Sequence, residues 1–213
     1  MFDQLSFFDT APSGAPPAPL PSSSLPAMPA EAPGVAHAVF FAVIADTAEA
    51  ADMHARGAVI NGRLGIGGRA LEAARLHVSL HAVGAYVGTR PDADIARWCR
   101  AGANTSCAAF EVIFDCVATF GGEGNPLVFK SSNNAGVAGL SALHLALGMA
   151  LADTGERIKQ RRITPHMTLS YGGKRIAETA IEPVCWRPHE LVLIDSHVGV
   201  HRHEIIGRWP LQP

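Results

Sequence analysis

A four-residue pattern that occurs twice constrains the fold of this chain more than any other feature. The copies are HVSL at residues 77–80 and HMTL at residues 166–169, and each lies where apolar and polar residues alternate. Such alternation is typical of a half-buried β-strand, in which residues two positions apart point from the same face. Each copy therefore predicts a strand that presents an imidazole beside a hydroxyl. We expect the two strands to face each other across a cleft.

The segments around the two copies indicate an α+β protein. Short apolar runs and alternating stretches predict strands at residues 38–45, 76–83, 108–120, 126–131, 164–171, 181–186, 190–198 and 203–209. Helical spacing predicts helices at residues 46–61, 91–99 and 137–153, the first of them with a cap at Asp46 and Thr47. The two strands that flank the glycine-rich turn at residues 121–125 are expected to form a hairpin. This order of elements favours antiparallel sheets backed by helices.

The first 33 residues differ in composition from the remainder of the chain. Residues 11–33 are dominated by Pro, Ala and Ser, which supply too little apolar surface to offset the entropy cost of ordering the chain. We therefore expect residues 1–33 to form a disordered tail and linker. Residues 34–213 are expected to form one folded domain.

Charge and composition exclude several functional classes. A formal net charge of −2 excludes a broadly basic nucleic-acid-binding protein, because such binding depends on many Lys and Arg side chains, so any RNA contact must be local. The four cysteines lack the spacing of a metal site and are interpreted as reduced and structural. We find no apolar run suited to a signal peptide or a membrane span, which predicts a cytoplasmic protein. Nothing in the sequence demands more than a monomer.

Paired imidazole and hydroxyl groups are suited to the chemistry of a phosphodiester. One of His77 and His166 can take a proton from the attacking hydroxyl or water while the other protonates the departing oxygen. Ser79 and Thr168 can then donate hydrogen bonds to the non-bridging phosphate oxygens. This scheme requires no metal and no other cofactor. The alternative is that both histidines are ordinary strand residues whose neighbouring hydroxyls support the sheet.

With these two motifs the chain resembles the 2H phosphoesterase superfamily. Within that superfamily it is most similar to the 2′-5′ RNA ligase-like or RNA 2′,3′-cyclic phosphodiesterase group. The resemblance covers residues 36 to 210 and includes the closing segment GRWPL at residues 207–211. It implies a bilobal fold in which two pseudo-symmetric antiparallel sheets with outer helices enclose a central groove. It also implies that His77 is the proton donor and His166 the acceptor, although the sequence alone does not assign these roles. The implied reaction is hydrolysis of a 2′,3′-cyclic phosphate to a 2′-phosphomonoester, with reversible 2′-5′ ligation as the other activity.

Residues near the motifs suggest further contacts with a nucleotide or RNA. Ser79 replaces the usual Thr of the family, and the following HAVG at residues 81–84 lacks the usual Phe-Leu-Gly. Tyr171 can stack on a base or simply cap the sheet edge. Lys130 and Arg162, the latter beside Lys159 and Arg161, can bind flanking phosphates or belong to a solvated charged face. His81 is expected on the face of His77, where it would support the catalytic pair.

The N-terminal residues carry a separate feature. Gln4-Leu5-Ser6-Phe7-Phe8 resembles the peptide with which bacterial proteins bind the DNA polymerase sliding clamp, and a flexible linker follows it. A simple frayed terminus is the other interpretation. The main alternative to an enzyme is a non-catalytic RNA-end-binding protein that this peptide recruits to the clamp. The sequence leaves open whether the substrate is tRNA, an oligonucleotide or a small cyclic nucleotide.

Overall fold

A computed structural model describes residues 34–121, 124–157 and 162–212 of the chain. The predicted tail at residues 1–33, with its clamp-binding peptide, lies outside the described residues. The same is true of Lys159 and Arg161. Nothing below concerns the structure of these parts.

Nine strands and three α-helices make up the described residues. The strands are β1 (Ala36–Ile44), β2 (Arg69–Ala70), β3 (His77–Val87), β4 (Val112–Thr119), β5 (Leu127–Lys130), β6 (His166–Tyr171), β7 (Thr179–Trp186), β8 (Glu190–His197) and β9 (Arg202–Pro210). The helices are α1 (Thr47–Leu64), α2 (Asp92–Asn104) and α3 (Ala138–Asp153). All three predicted helices and all eight predicted strands are present. The sequence missed only β2, since two residues are too few to show a period.

The strands form two antiparallel sheets, which confirms the predicted α+β class and the bilobal fold. One sheet has the order β3-β1-β8-β9 and the other the order β2-β6-β5-β4-β7. The predicted hairpin is β4 with β5, and the C-terminal hairpin β8-β9 returns to the sheet that contains β1. The two HxSL/HxTL motifs therefore lie in different sheets, on β3 and β6, and these two strands contact each other between the sheets.

A bulge follows the hydroxyl residue in both motifs. In the pairing of β1 with β3, Ser79 lies opposite Ala42 and His81 opposite Phe41, so Leu80 is the extra residue. In the pairing of β5 with β6, Thr168 lies opposite Val128 and Ser170 opposite Leu127, so Leu169 is the extra residue. An extra residue reverses the alternation of the strand beyond it. The two motifs therefore share their local backbone irregularity as well as their sequence.

The bulge at Leu80 makes the prediction for His81 wrong. His81 does not share the face of His77: it is buried, its Nε2 lies 2.9 Å from the carbonyl oxygen of His144 on α3, and the two rings stack with centroids 3.9 Å apart. His81 thus packs against a helix on the far side of the sheet. Simple period-2 alternation could not reveal this, because it assumes an unbroken ladder.

Helix α1 begins where the sequence predicted it. The Asp46 side chain accepts hydrogen bonds from the backbone N–H groups of Ala48 and Glu49 at 2.9 and 2.8 Å, and Glu49 bonds back to the Asp46 backbone N–H. The helix is capped at its other end by Gly65, whose φ of 56° lies in the left-handed region that glycine adopts without strain. These caps fix the helix that packs on β6, where Gly57 allows close contact with the Leu169 side chain.

Helix α3 is the central helix of the core. Its leucine stripe is fully buried and comprises Leu140, Leu143, Leu147 and Leu151. The segment Ala135–Asp153 is also long and apolar enough by composition to cross a membrane, so the expectation that the chain has no such run was wrong. The same composition is found in core helices of globular domains, and the buried stripe packs in one continuous core with side chains of both sheets.

Two leucines of α3 allow a matched test of this packing. Leu147→Ala should lower the free energy of unfolding by about 2–5 kcal/mol, because it removes buried methyl groups and leaves a cavity. Leu145 is 55% exposed, so Leu145→Ala should change stability by no more than about 0.5 kcal/mol. Urea denaturation of both variants measures the difference. Equal effects of the two substitutions would contradict the placement of α3.

Candidate active site

The two motif histidines occupy equivalent positions, each as the first residue of its strand. His77 Nδ1 lies 2.7 Å from the carbonyl oxygen of Arg75, and His166 Nδ1 lies 2.8 Å from the carbonyl oxygen of Thr164. Each imidazole is thus bonded to the backbone two residues before it. The preceding segment, a 3₁₀ turn at Ala73–Arg75 in the first case, delivers the carbonyl to the ring.

These hydrogen bonds fix the tautomer of both neutral rings. A carbonyl oxygen can only accept, so Nδ1 must be the protonated nitrogen of His77 and of His166. The lone pair of each neutral ring therefore lies on Nε2. Both histidines present the nitrogen that can take up or deliver a proton, and the backbone bond holds the ring in one orientation.

Burial lowers the pKa of both imidazoles and so favours their neutral forms at neutral pH. Burial lowers the pKa of His77 to about 4, the backbone bond to Arg75 opposes this, and the charges of His166 and Arg75 lower the pKa further. Burial also lowers the pKa of His166, against the effect of its bond to Thr164. The strands that begin with these two histidines, β3 and β6, contact each other between the sheets.

Aromatic rings pack against both histidines and hold them in place. The His77 ring lies 5.1 Å from the Phe40 ring and 5.3 Å from the His203 ring, measured between centroids. The Phe120 ring lies 4.6 Å from that of His166. Phe40 belongs to a small apolar cluster on the face of the β1-containing sheet that is opposite the main core, and we call this the inner face. Because their rings pack against Phe40, His77 and His203 also lie on the inner face.

The two hydroxyl residues lie beside the histidines as the sequence predicted for a strand. Ser79 is half-buried opposite Ala42, a residue of the same inner apolar cluster, two positions after His77. Thr168 is half-buried two positions after His166. Burial raises the pKa of Tyr171, while the Thr168 hydroxyl and the charge of Arg75 act in the opposite direction. Tyr171 is 38% exposed at the end of β6, three residues beyond Thr168.

Two further residues belong to the site and were not recognised from the sequence. Arg75 places its Nη2 3.5 Å from His203 Nε2, while its Nε is buried without a hydrogen-bond partner among the described residues. His203 on β9 has its pKa lowered to about 3 by burial and by the charges of His77 and Arg75. Arg75 lies two residues before His77, and this proximity to the first motif is the one signal that could have indicated it. His203 comes from a strand that joins the sheet from the distant C-terminus, so no local pattern marks it.

The remaining basic residues are less closely associated with the site. Lys130 pairs with His166 in register, so its side chain leaves the same face of the sheet, and its ammonium group is paired with the Glu178 carboxylate. Arg162 is exposed four residues before His166. Lys130 therefore already has an anionic partner, in contrast to the guanidinium of Arg75.

Comparison with known proteins agrees with this architecture. The sequence profile of the 2′-5′ RNA ligase superfamily matches residues 62–200. No curated protein sequence matches the chain significantly.

Solved structures with a similar fold include LigT of E. coli in its apo form, with a TM-score of 0.61 and 21% identity over 84% of this chain and 99% of LigT. LigT complexed with 3′-AMP has a TM-score of 0.60 and 20% identity over 85% and 100% of the two chains. A protein of Thermus thermophilus, TT0787, has a TM-score of 0.60 and 16% identity over 82% and 98%. The profile match and the two-sheet fold together establish that the chain belongs to the 2′-5′ RNA ligase superfamily of 2H phosphoesterases.

Proposed function

We propose that the protein hydrolyses a 2′,3′-cyclic phosphate, on an RNA end or a small nucleotide, to a 2′-phosphomonoester. The observation that carries the proposal is the matched pair of imidazoles, His77 and His166, each held through Nδ1 by a backbone carbonyl so that Nε2 is available. A phosphodiester transfer needs two proton movements, one at the nucleophile and one at the leaving group. Two equivalent imidazoles in one groove supply both.

In the proposed reaction, His166 Nε2 takes a proton from water as the water oxygen forms a bond to phosphorus. The bond between phosphorus and O3′ breaks, and His77 Nε2–H gives its proton to O3′. This leaves the phosphate on O2′. The assignment of His77 as donor and His166 as acceptor follows the family resemblance. If the 5′-hydroxyl of a second RNA replaces water, the same steps join the two ends by a 2′-5′ linkage.

Charge on the phosphate is met by donors around the two histidines. The hydroxyls of Ser79 and Thr168 lie at equivalent positions after them, and Arg75 supplies a fixed positive charge next to His77 and His203. Donors already in place stabilise charge that grows in the transition state without a reorganisation cost. The bound phosphate also raises the pKa of a neighbouring imidazole, so His77 can acquire the proton that it lacks in the free protein.

Structures of relatives are consistent with a nucleotide phosphate as ligand. E. coli LigT has been crystallised with 3′-AMP, with phosphate, with ATP and with NADP+. The ligands share a phosphate group and differ in size, which supports a groove that recognises the phosphate first. Tyr171, exposed at the end of β6, can then stack on a base.

The direct test is turnover of a nucleoside 2′,3′-cyclic phosphate in EDTA. His77→Ala and His166→Ala should each lower kcat by about 10²–10⁴-fold, because each removes one proton-transfer group. His189→Ala is the matched control, since His189 is exposed in the connection between β7 and β8, and it should retain full activity. The product of the native protein should carry its phosphate on O2′.

The same experiment separates the enzyme from the RNA-end-binding alternative. An enzyme variant His166→Ala should still bind a nucleotide 2′-phosphate with nearly native affinity while turnover is lost. Native protein that binds a cyclic-phosphate-ended oligonucleotide but turns over neither substrate would favour the binding role. Full activity in either histidine variant would contradict the proposed mechanism.

We further propose that the peptide at residues 4–8 binds the bacterial sliding clamp. Support comes from the sequence Gln4-Leu5-Ser6-Phe7-Phe8 and from the Pro-, Ala- and Ser-rich segment that separates it from the domain. A synthetic peptide of residues 1–10 should bind purified clamp, and the double substitution Gln4→Ala with Phe8→Ala should abolish binding. Equal binding of both peptides, or of neither, would end the proposal.

A further inference from the structure

A second cluster of histidines lies far from the groove, at the other end of β1. His37, near the start of β1, pairs in register with His197 at the end of β8, whereas Ile44 at the opposite end of β1 pairs with His77. Seven residues of extended strand separate His37 from Ile44, which corresponds to about 23 Å. The cluster and the active site are therefore separate sites.

The cluster also lies on the opposite face of this sheet. The side chains of Asp195 and His197 leave β8 on the same face as Leu193. The side chain of His37 leaves β1 on the same face as Val39. Leu193 and Val39 belong to the main core, whereas the neighbours of His77 belong to the inner apolar cluster. The sheet itself thus separates the two groups of histidines.

The contacts of Asp195 orient the centre of the cluster. His37 Nδ1 lies 2.8 Å from Asp195 Oδ1, and the Tyr86 hydroxyl donates to Asp195 Oδ2 at 2.5 Å. The His37 ring stacks on Tyr86, with centroids 4.4 Å apart and an angle of 16° between the rings.

His197 completes the cluster but has no role in this hydrogen-bond network. Its ring lies 4.4 Å from that of His37, and its Nε2 is buried without a hydrogen-bond partner among the described residues. The nearby carboxylate oxygen Glu204 Oε2 is 3.7 Å from this nitrogen, which is too far for a hydrogen bond. A buried nitrogen without a partner is costly, so a purely structural network of His37, Asp195 and Tyr86 leaves His197 unexplained.

A metal ion would satisfy all three ligands. One ligand atom from each of His37, Asp195 and His197 lies within 4.8 Å of the other two. In a tetrahedral zinc site with Zn–N and Zn–O bonds of about 2.0–2.1 Å, ligand atoms are about 3.3 Å apart. Three ligand atoms within 4.8 Å of one another are near this spacing, and side-chain rotation is needed to reach it. Two imidazole nitrogens, which are borderline ligands, together with one carboxylate oxygen suit zinc and similar transition metals.

We propose that His37, Asp195 and His197 form a binding site for a divalent transition metal of the zinc class. Binding replaces the proton on His37 Nδ1 with the metal and releases that proton to solvent. Tyr86 holds the Asp195 carboxylate in the orientation that directs Oδ1 toward His37. Glu204 on β9 pairs in register with Asp195 and lies on the same face, where it is positioned to serve as a fourth ligand. The bound metal would join the start of β1 to the end of β8.

Equilibrium dialysis of the full chain against Zn²⁺ tests the site, with Co²⁺ absorption as a spectroscopic readout. Native protein should bind one Zn²⁺, and His197→Ala should lose this binding without disturbing the bonds of Asp195. Tyr86→Phe should lower the affinity by about 10–100-fold, as for other groups that orient a metal ligand. His189→Ala should bind as tightly as the native protein.

The active-site histidines require their own control, because they can also bind Zn²⁺. A variant with both His77→Ala and His166→Ala should retain the bound ion and the Co²⁺ spectrum. The proposal is overturned if native protein binds no Zn²⁺, if His197→Ala binds it with native affinity, or if the double variant loses it. None of these outcomes depends on the proposed hydrolase activity.

Discussion

The hydrogen bond from an imidazole Nδ1 to the carbonyl two residues before it is the interaction on which the site depends. It occurs at His77 and again at His166, each the first residue of its strand, and it fixes the tautomer of both neutral rings. The rest of the fold serves to repeat this arrangement and to bring the two copies together. Each motif lies in its own antiparallel sheet, and each strand bulges at the leucine that follows the hydroxyl residue.

The electrostatics of the groove follow from placing several basic groups in one buried space. His77 and His203 share the neighbourhood of Arg75, whose charge lowers the pKa of both imidazoles in addition to the effect of burial. The free groove therefore contains a fixed guanidinium charge next to neutral imidazoles. In the proposed mechanism an anionic phosphate relieves this imbalance, since it pairs with Arg75 and favours protonation of a histidine beside it. Under that proposal, substrate binding and the creation of the catalytic acid are one event.

Much of this architecture could be predicted from the sequence, because period-2 alternation and capping residues are local signals. The strands of both motifs, the capped start at Asp46 and the leucine stripe of α3 were all evident. The position of His81 was not, because a one-residue bulge at Leu80 reverses the face and leaves no mark in the sequence. Arg75 and His203 were missed for a different reason: their roles arise from side-chain contacts between distant segments. Lys130 shows the converse, a cation on the correct face that its pairing with Glu178 already neutralises.

We propose that two imidazoles with lowered pKa values act together as acid and base, and the pH dependence of turnover distinguishes this mechanism from one that uses a single histidine. The productive form has one histidine protonated and one neutral, so kcat/KM, which reports the free protein, should peak below pH 6.5. It should then fall about tenfold per pH unit on the alkaline side. The alkaline decline of kcat should occur at higher pH than that of kcat/KM, because the bound phosphate raises the pKa of the acid.

The contribution of two buried histidines to the pH dependence of folding does not mimic this profile. His77 and His81 are buried in their neutral forms with pKa values lowered to about 4, so they destabilise the fold only as pH falls from 6.5 toward 4. The titration of these two histidines therefore does not destabilise the fold above pH 6.5. An acidic maximum of kcat/KM with the kcat limb displaced upward is the predicted result. A kcat/KM that continues to rise above pH 6.5 would contradict the two-histidine account.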